Sequence, residues 1–209
     1  MKKIKLLFQG DSITDCGRRR EDPHNLSGGY AGMAARLIRE KYNKIDFEFL
    51  NLGIGGSQTK DLLYRLQSDF IDIQPDIVSI MIGINDVWHY ANLGSILDNA
   101  VFEERYRAVL SGIKEHTNAK IMIIEPYLAP VEDKLSMRND LSEKIEIIRK
   151  LARGFADVYM PTDGLINAEF VGNDISEYTY DGVHPTDNGA EFIAQNYLLY
   201  VSKIIDCLI

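Results

Sequence analysis

Five short apolar runs, separated by longer stretches of helical periodicity, recur along this chain, and that alternation restricts its architecture more than any other feature. The runs cover residues 4–9, 46–52, 76–82, 120–125 and 156–160. Ile77-Val78-Ser79-Ile80-Met81-Ile82 and Ile121-Met122-Ile123-Ile124 are apolar nearly throughout rather than alternating, as a strand covered on both faces requires. Between the runs, Phe102, Tyr106, Val109, Leu110 and Ile113 recur at helical spacing, as do Leu141, Ile145, Ile148, Leu151 and Ala152. Further helices are expected at about 29–43, 58–72 and 187–206, the last starting after Pro185-Thr186. The pattern predicts a single α/β domain over residues 1–209. Its expected form is a three-layer α/β/α, flavodoxin-like fold around a five-stranded parallel sheet of order 2-1-3-4-5.

Composition narrows the partners. The chain has 209 residues, 45% of them hydrophobic, enough for a sizeable core. A formal net charge of −8 argues against a nucleic-acid partner, because phosphate binding relies on clustered Lys and Arg. Arg18-Arg19-Arg20 is the local exception, read either as a solvated loop or as a contact for phosphate or an acidic substrate. No stretch approaches the roughly 18 apolar residues that span a bilayer, so no membrane partner is expected. Met1 to Phe8 holds too few apolar residues for a signal-peptide core, and Cys16 and Cys207 do not form a disulfide framework. A cytoplasmic setting is the expectation.

In open parallel sheets the functional crevice lies beyond the carboxyl ends of the strands, which directs attention to the residues just after each run. Gly10-Asp11-Ser12 follows the first, Gly53-Ile54-Gly55-Gly56-Ser57 the second and Gly83-Ile84-Asn85-Asp86 the third; Asp181-Gly182-Val183-His184 precedes the last helix. Each alone has a plain explanation: a turn or cap at Gly-Asp-Ser, a tight turn at the glycines, loop capping by Asn85 and Asp86, a turn at Asp181-Gly182. Together, in order and at one sheet edge, they hold the parts of an acyl-transfer site. A serine hydroxyl needs a neutral imidazole to take its proton and a carboxylate to orient that imidazole; Ser12, His184 and Asp181 can supply these. Asn85 and the backbone N–H groups of Gly56 and Ser12 can supply donors for a developing oxyanion. His24, His89 and His116 show no paired ligand spacing, so no metal is expected, and no nucleotide or other cofactor is indicated.

The four blocks resemble the SGNH family, also called GDSL hydrolases, over nearly the whole chain. On that resemblance Ser12 matches the nucleophile, Gly56 the second-block glycine, Asn85 the third-block asparagine, and Asp181 with His184 the final block; Ile13 stands where the family name has leucine. Gly10 to Arg18, Gly29-Tyr30 and Ile80 to Trp88 look most like its bacterial intracellular acetylxylan esterase branch. The resemblance implies a serine esterase acting on a small acylated substrate, an acetylated sugar or oligosaccharide, with lysophospholipase or acyl-thioesterase activity as the alternative. It also implies a symmetric homo-oligomer. A catalytically silent binding domain is the reading from another class. Asp11, Arg18, Tyr30, Trp88 and Tyr180 are the candidate substrate contacts; Tyr90 and Tyr127 could also stack on a sugar ring or pack conventionally. Asp11, beside the nucleophile, is read more as a loop-fixing residue than a reacting one.

Overall fold

The computed structural model describes residues 3–209; Met1 and Lys2, part of the segment read above for export, lie outside the described residues. Five parallel strands, β1 (Ile4–Gly10), β2 (Phe47–Asn51), β3 (Ile77–Met81), β4 (Lys120–Ile124) and β5 (Val158–Met160), form one sheet in the order β2-β1-β3-β4-β5. This is the expected order. β1 lies between β2 and β3, with Leu7 opposite both Leu50 and Val78 and Gly10 opposite Met81.

Successive strand residues feed opposite cores, as the period of two demands. Leu6 and Phe8 pack with α2 (Tyr30–Lys41) and α8 (Asp187–Leu208), chiefly through Tyr30, Ala34, Ile38, Ile193, Tyr197 and Val201. Leu7, Val78, Ile80, Ile121 and Ile123 pack on the other face with α3 (Thr59–Tyr64), α5 (Asn99–His116) and α6 (Arg138–Phe155), chiefly through Leu62, Phe102, Tyr106, Leu110 and Ile148. The layers are therefore α/β/α. Phe8 and Tyr197, with ring centroids 5.2 Å apart, join β1 to α8 at the centre of one core.

Three elements position the site. A single turn, α1 (Ser12–Asp15), starts one residue after β1, and α4 (Ile84–Asn92) starts just beyond β3. After α7 (Thr162–Glu169), a tight excursion closed by the Thr179–Pro185 bridge carries residues 180–184 back over the same edge. Among the described residues no helix is long and apolar enough to cross a membrane.

Candidate active site

The chain reverses its direction across the sheet between β1 and β3, and open α/β sheets form their crevice outside the strand ends at such a switch point. Ser12 stands there, the first residue of α1. Asp11 caps that turn, its Oδ1 accepting the Ile13 N–H at 3.0 Å. Burial pushes the Asp11 carboxyl up to about 7, partly offset by the Ile13 bond and by nearby His184. Its side chain is enclosed, so it fixes the turn that carries Ser12 from beneath.

Ser12 Oγ lies 2.9 Å from His184 Nε2, and His184 Nδ1 lies 2.9 Å from Asp181 Oδ2. Residues 172 positions apart thus meet in one hydrogen-bonded relay. Asp181 also accepts the backbone N–H groups of Val183 at 3.0 Å and His184 at 2.8 Å, so one carboxylate shapes the turn and orients the ring it holds. Partial burial alone would raise its pKa, but those bonds and the His184 ring outweigh it and hold the group below the ordinary aspartate value. Thr179 braces the turn: its hydroxyl donates to the His184 carbonyl at 2.8 Å and accepts the Gly182 N–H at 3.0 Å. The Gly182 carbonyl accepts from Ala129 N–H at 2.8 Å. Gly182 has φ 89°, and a Cβ there would lie 2.5 Å from Val131 Cγ2, so glycine is required twice over.

The opposite wall is built from the second and third blocks. Gly56 has φ 82°, with nothing near the position a Cβ would take; its glycine is needed for backbone conformation rather than for room. Asn85 donates through Nδ2 to the Ser57 carbonyl at 3.1 Å and receives on its own carbonyl the Gln58 Nε2–H at 3.0 Å. An amide nitrogen carries two hydrogens, so that bond leaves the second one unused. Beneath this pair, fully buried Asp86 accepts the Thr59 N–H at 2.9 Å through Oδ2 and the Thr59 hydroxyl at 2.6 Å through Oδ1, pinning the start of α3 to the first turn of α4. Burial pushes Asp86 up to about 6 despite those bonds. Asn51 spans the blocks, donating to Thr14 O at 2.7 Å and accepting Gly53 N–H at 3.0 Å. Asp15 Oδ2 accepts Gly55 N–H at 2.8 Å and the Arg20 guanidinium at 2.5 Å, which fixes the glycine turn beside Ser12.

The remaining sequence candidates divide by location. Trp88 flanks His184, with ring centroids 5.9 Å apart, and Tyr180 is 75% exposed at the crevice mouth. Arg18 is buried with Nε on the Gly53 carbonyl at 3.0 Å, which braces the second block from behind. Tyr30 is 0% exposed, packed between Phe8 and Tyr197 with its hydroxyl 3.0 Å from Thr14 Oγ1. It has no free surface for a ligand; its place on the buried stripe Tyr30, Ala31, Ala34, Ala35 and Ile38 explains why. Tyr127 is likewise fully enclosed and cannot stack on a ring in the crevice. Sequence reasoning passed over Lys134, whose Nζ lies 5.0 Å from the Trp88 ring centroid, and Asp187 at the crevice rim. Neither belongs to a motif, and only the fold brings them close.

A parallel sheet with a hydroxyl–imidazole–carboxylate relay at its switch point carries the groups that acyl transfer uses. The sequence model of the GDSL-like lipase/acylhydrolase family matches residues 8–192, and the chain belongs to that family. It is a carboxylic ester hydrolase. An acetylxylan esterase from Geobacillus stearothermophilus is 30% identical over 201 residues, covering 93% of this chain and 92% of the relative. The crystal structure of Axe2, an acetylxylan esterase from that organism, superposes with TM-score 0.86 at 28% identity, covering 96% of this chain and 94% of that one. A GDSL-like protein from Parabacteroides merdae superposes with TM-score 0.87 at 31% identity, covering 94% of each chain. Solved variants of Axe2 include catalytic mutants at a serine, an aspartate and a histidine, the last two three positions apart.

Proposed function

We propose that this esterase removes acetyl groups from carbohydrate esters through an acyl-enzyme on Ser12. The hydrogen-bonded relay from Ser12 through His184 to Asp181 is the observation that carries the reading. Ser12 Oγ attacks the ester carbonyl carbon as its proton passes to His184 Nε2. The carbonyl oxygen gains negative charge, which the Asn85 amide and the Gly56 and Ser12 N–H groups offset. The bond to the leaving oxygen then breaks, and the proton on Nε2 passes to that oxygen to release the alcohol. Water repeats the sequence on the acyl-enzyme, releasing acetate and restoring the Ser12 hydroxyl. Asp181 keeps Nδ1 protonated and stabilises the transient imidazolium.

Three observations favour an acetylated sugar over a long-chain lipid. Relatives at 28–30% identity are described as acetylxylan and acetyl-xylooligosaccharide esterases. Trp88, backed by buried Lys134, crowds the histidine where a long acyl chain would need room. The cavity beside Ser12 and His184 encloses about 340 Å³, at the small end of ligand pockets. Free, exposed Cys16 and Cys207 suit a reducing compartment, in line with action on short oligosaccharides inside the cell. The test is release of acetate from acetylated xylo-oligosaccharides, set against lysophospholipid and acyl-thioester panels. Turnover of the lipids or thioesters with no acetate release from the sugars would overturn the substrate assignment.

A further inference from the structure

Two sides of the crevice differ in chemistry, and the difference bears on which alcohol leaves. The cavity lined by Ser12, Cys16, Gly28, Tyr180, His184 and Asp187 contains the nucleophile and the base but neither Gly56 nor Asn85. In a tetrahedral intermediate on Ser12 the oxyanion points at Gly56 and Asn85, while the leaving oxygen must sit within reach of His184 Nε2 to collect its proton. From this geometry we infer that the cavity is the seat of the leaving alcohol and that it takes an uncharged polyol rather than a phosphate-bearing alcohol or thiol. The inference rests on the esterase mechanism proposed above.

The lining supports both halves. Tyr180, three-quarters exposed, offers a flat apolar face of the kind that covers the C–H surface of a sugar ring. A Cβ at Gly28 would meet nothing within 4 Å, so the floor is open to a ring-sized group. Asp187, the first residue of α8, carries the cavity's charge; its carboxylate has no hydrogen-bond partner among the described residues and can accept from sugar hydroxyls. The Thr186 hydroxyl is already given to the Glu177 carbonyl, which leaves Asp187 as the rim acceptor. Among the described residues no lysine or arginine lines the cavity. Arg20, a cation close to the glycine turn, is engaged by Asp15 beside Gly55. A phosphate on the leaving group would therefore meet the Asp187 carboxylate with no lysine or arginine in the lining to offset it.

The experiment compares acetyl esters of a neutral alcohol, methyl xylopyranoside, with those of an anionic one, glycerol phosphate. The readout is the ratio of their kcat/KM values in the wild type, Asp187→Asn and Asp187→Lys. The wild type favours the neutral ester, and each added unit of positive charge at position 187 shifts the ratio toward the anionic ester by about threefold to tenfold, shrinking at high salt. Tyr180→Ala raises KM for the xyloside by about tenfold, more than for methyl acetate, and Tyr180→Trp restores it. Both side chains are exposed, so the variants fold. A wild type that prefers the anionic ester, or a ratio indifferent to the charge at position 187, overturns the assignment of the cavity. Failure of the wild type to hydrolyse any acetyl ester would instead overturn the esterase reading beneath it.

Discussion

Replacing Asp86 separates the scaffold of the site from its chemistry. Asp86 holds both the N–H and the hydroxyl of Thr59, which is 1% exposed, so Asp86→Ala leaves two buried donors without partners. Each such loss costs about 1–3 kcal/mol, which sets a destabilisation on the order of 2–6 kcal/mol where the carboxyl is neutral. The charge adds a pH dependence of known sign. The folded carboxyl titrates at about 6, above the ordinary value of 3.8, so the wild type loses stability as pH rises through 6 while the alanine variant does not. The difference between the two is therefore larger at pH 5 than at pH 8. Asp86→Asn keeps one acceptor for the Thr59 N–H without a buried charge and should stay within about 1 kcal/mol of the wild type at pH 8. Because Thr59 begins the helix after Gly56 and Ser57, and Asp86 adjoins Asn85, losing the clamp lets the two proposed oxyanion donors, Gly56 and Asn85, drift apart. A shift of about 1 Å in such a group costs up to about 10²-fold in rate, so kcat of Asp86→Ala should fall at least tenfold with little change in KM. Urea unfolding at pH 5 and pH 8 and initial rates on an acetate ester read both quantities. A pH-independent destabilisation together with unchanged kcat would refute the reasoning.

Ser12→Ala and His184→Ala should each lower kcat by several orders of magnitude, and the double variant should be little worse than either single one; additive losses in steady-state kinetics would contradict a shared step. Asn85→Ala should lower kcat by about 10²–10³-fold, whereas a change confined to KM would make Asn85 a ground-state contact. Asp11, pushed up to about 7, binds a proton in the folded state that the unfolded chain has released between pH 4 and 7, so it subtracts stability as pH rises through 7. Asp11→Asn should therefore flatten the fall in unfolding free energy between pH 5 and pH 8 by a few kcal/mol, and an unchanged slope would assign that fall elsewhere.

The fold was legible where burial and periodicity agree. All five strands are short, mostly apolar segments, and the sheet carries them in the expected order with ends shifted by a residue or two. Periodicity was less informative where it is locally broken. The stretch 58–72, read as one helix, is α3 followed by a π-helical turn at Gln67–Ile71; the added residue per turn keeps Phe70 in the core and brings Asp69 Oδ2 within 2.9 Å of Gln9 Nε2. The α4 helix was not read because its buried first turn includes Asn85 and Asp86, polar side chains that no amphipathic pattern places inside. The short α7 lay in a stretch to which no element was assigned, although Pro161 is a helix-start signal. For the candidate site, residue chemistry singles out Ser12, Asp181 and His184, which the fold brings into one hydrogen-bonded relay. Tyr30 belongs to the Gly29-Tyr30 segment that carries part of the family resemblance, yet its helical phase puts it in the core rather than in the crevice. The ties made by Asn51 and Asp15, and the place of Asp187 at the crevice rim, depend on how loops cross, which one sequence does not encode locally.

The most direct test of the whole account is the identity of the residue modified by a fluorophosphonate. A hydroxyl 2.9 Å from an imidazole that is itself held by a carboxylate should react selectively, so peptide mass spectrometry should find one adduct per chain, on Ser12, and none in His184→Ala. An unlabelled wild type, or an adduct on any other residue, would contradict it.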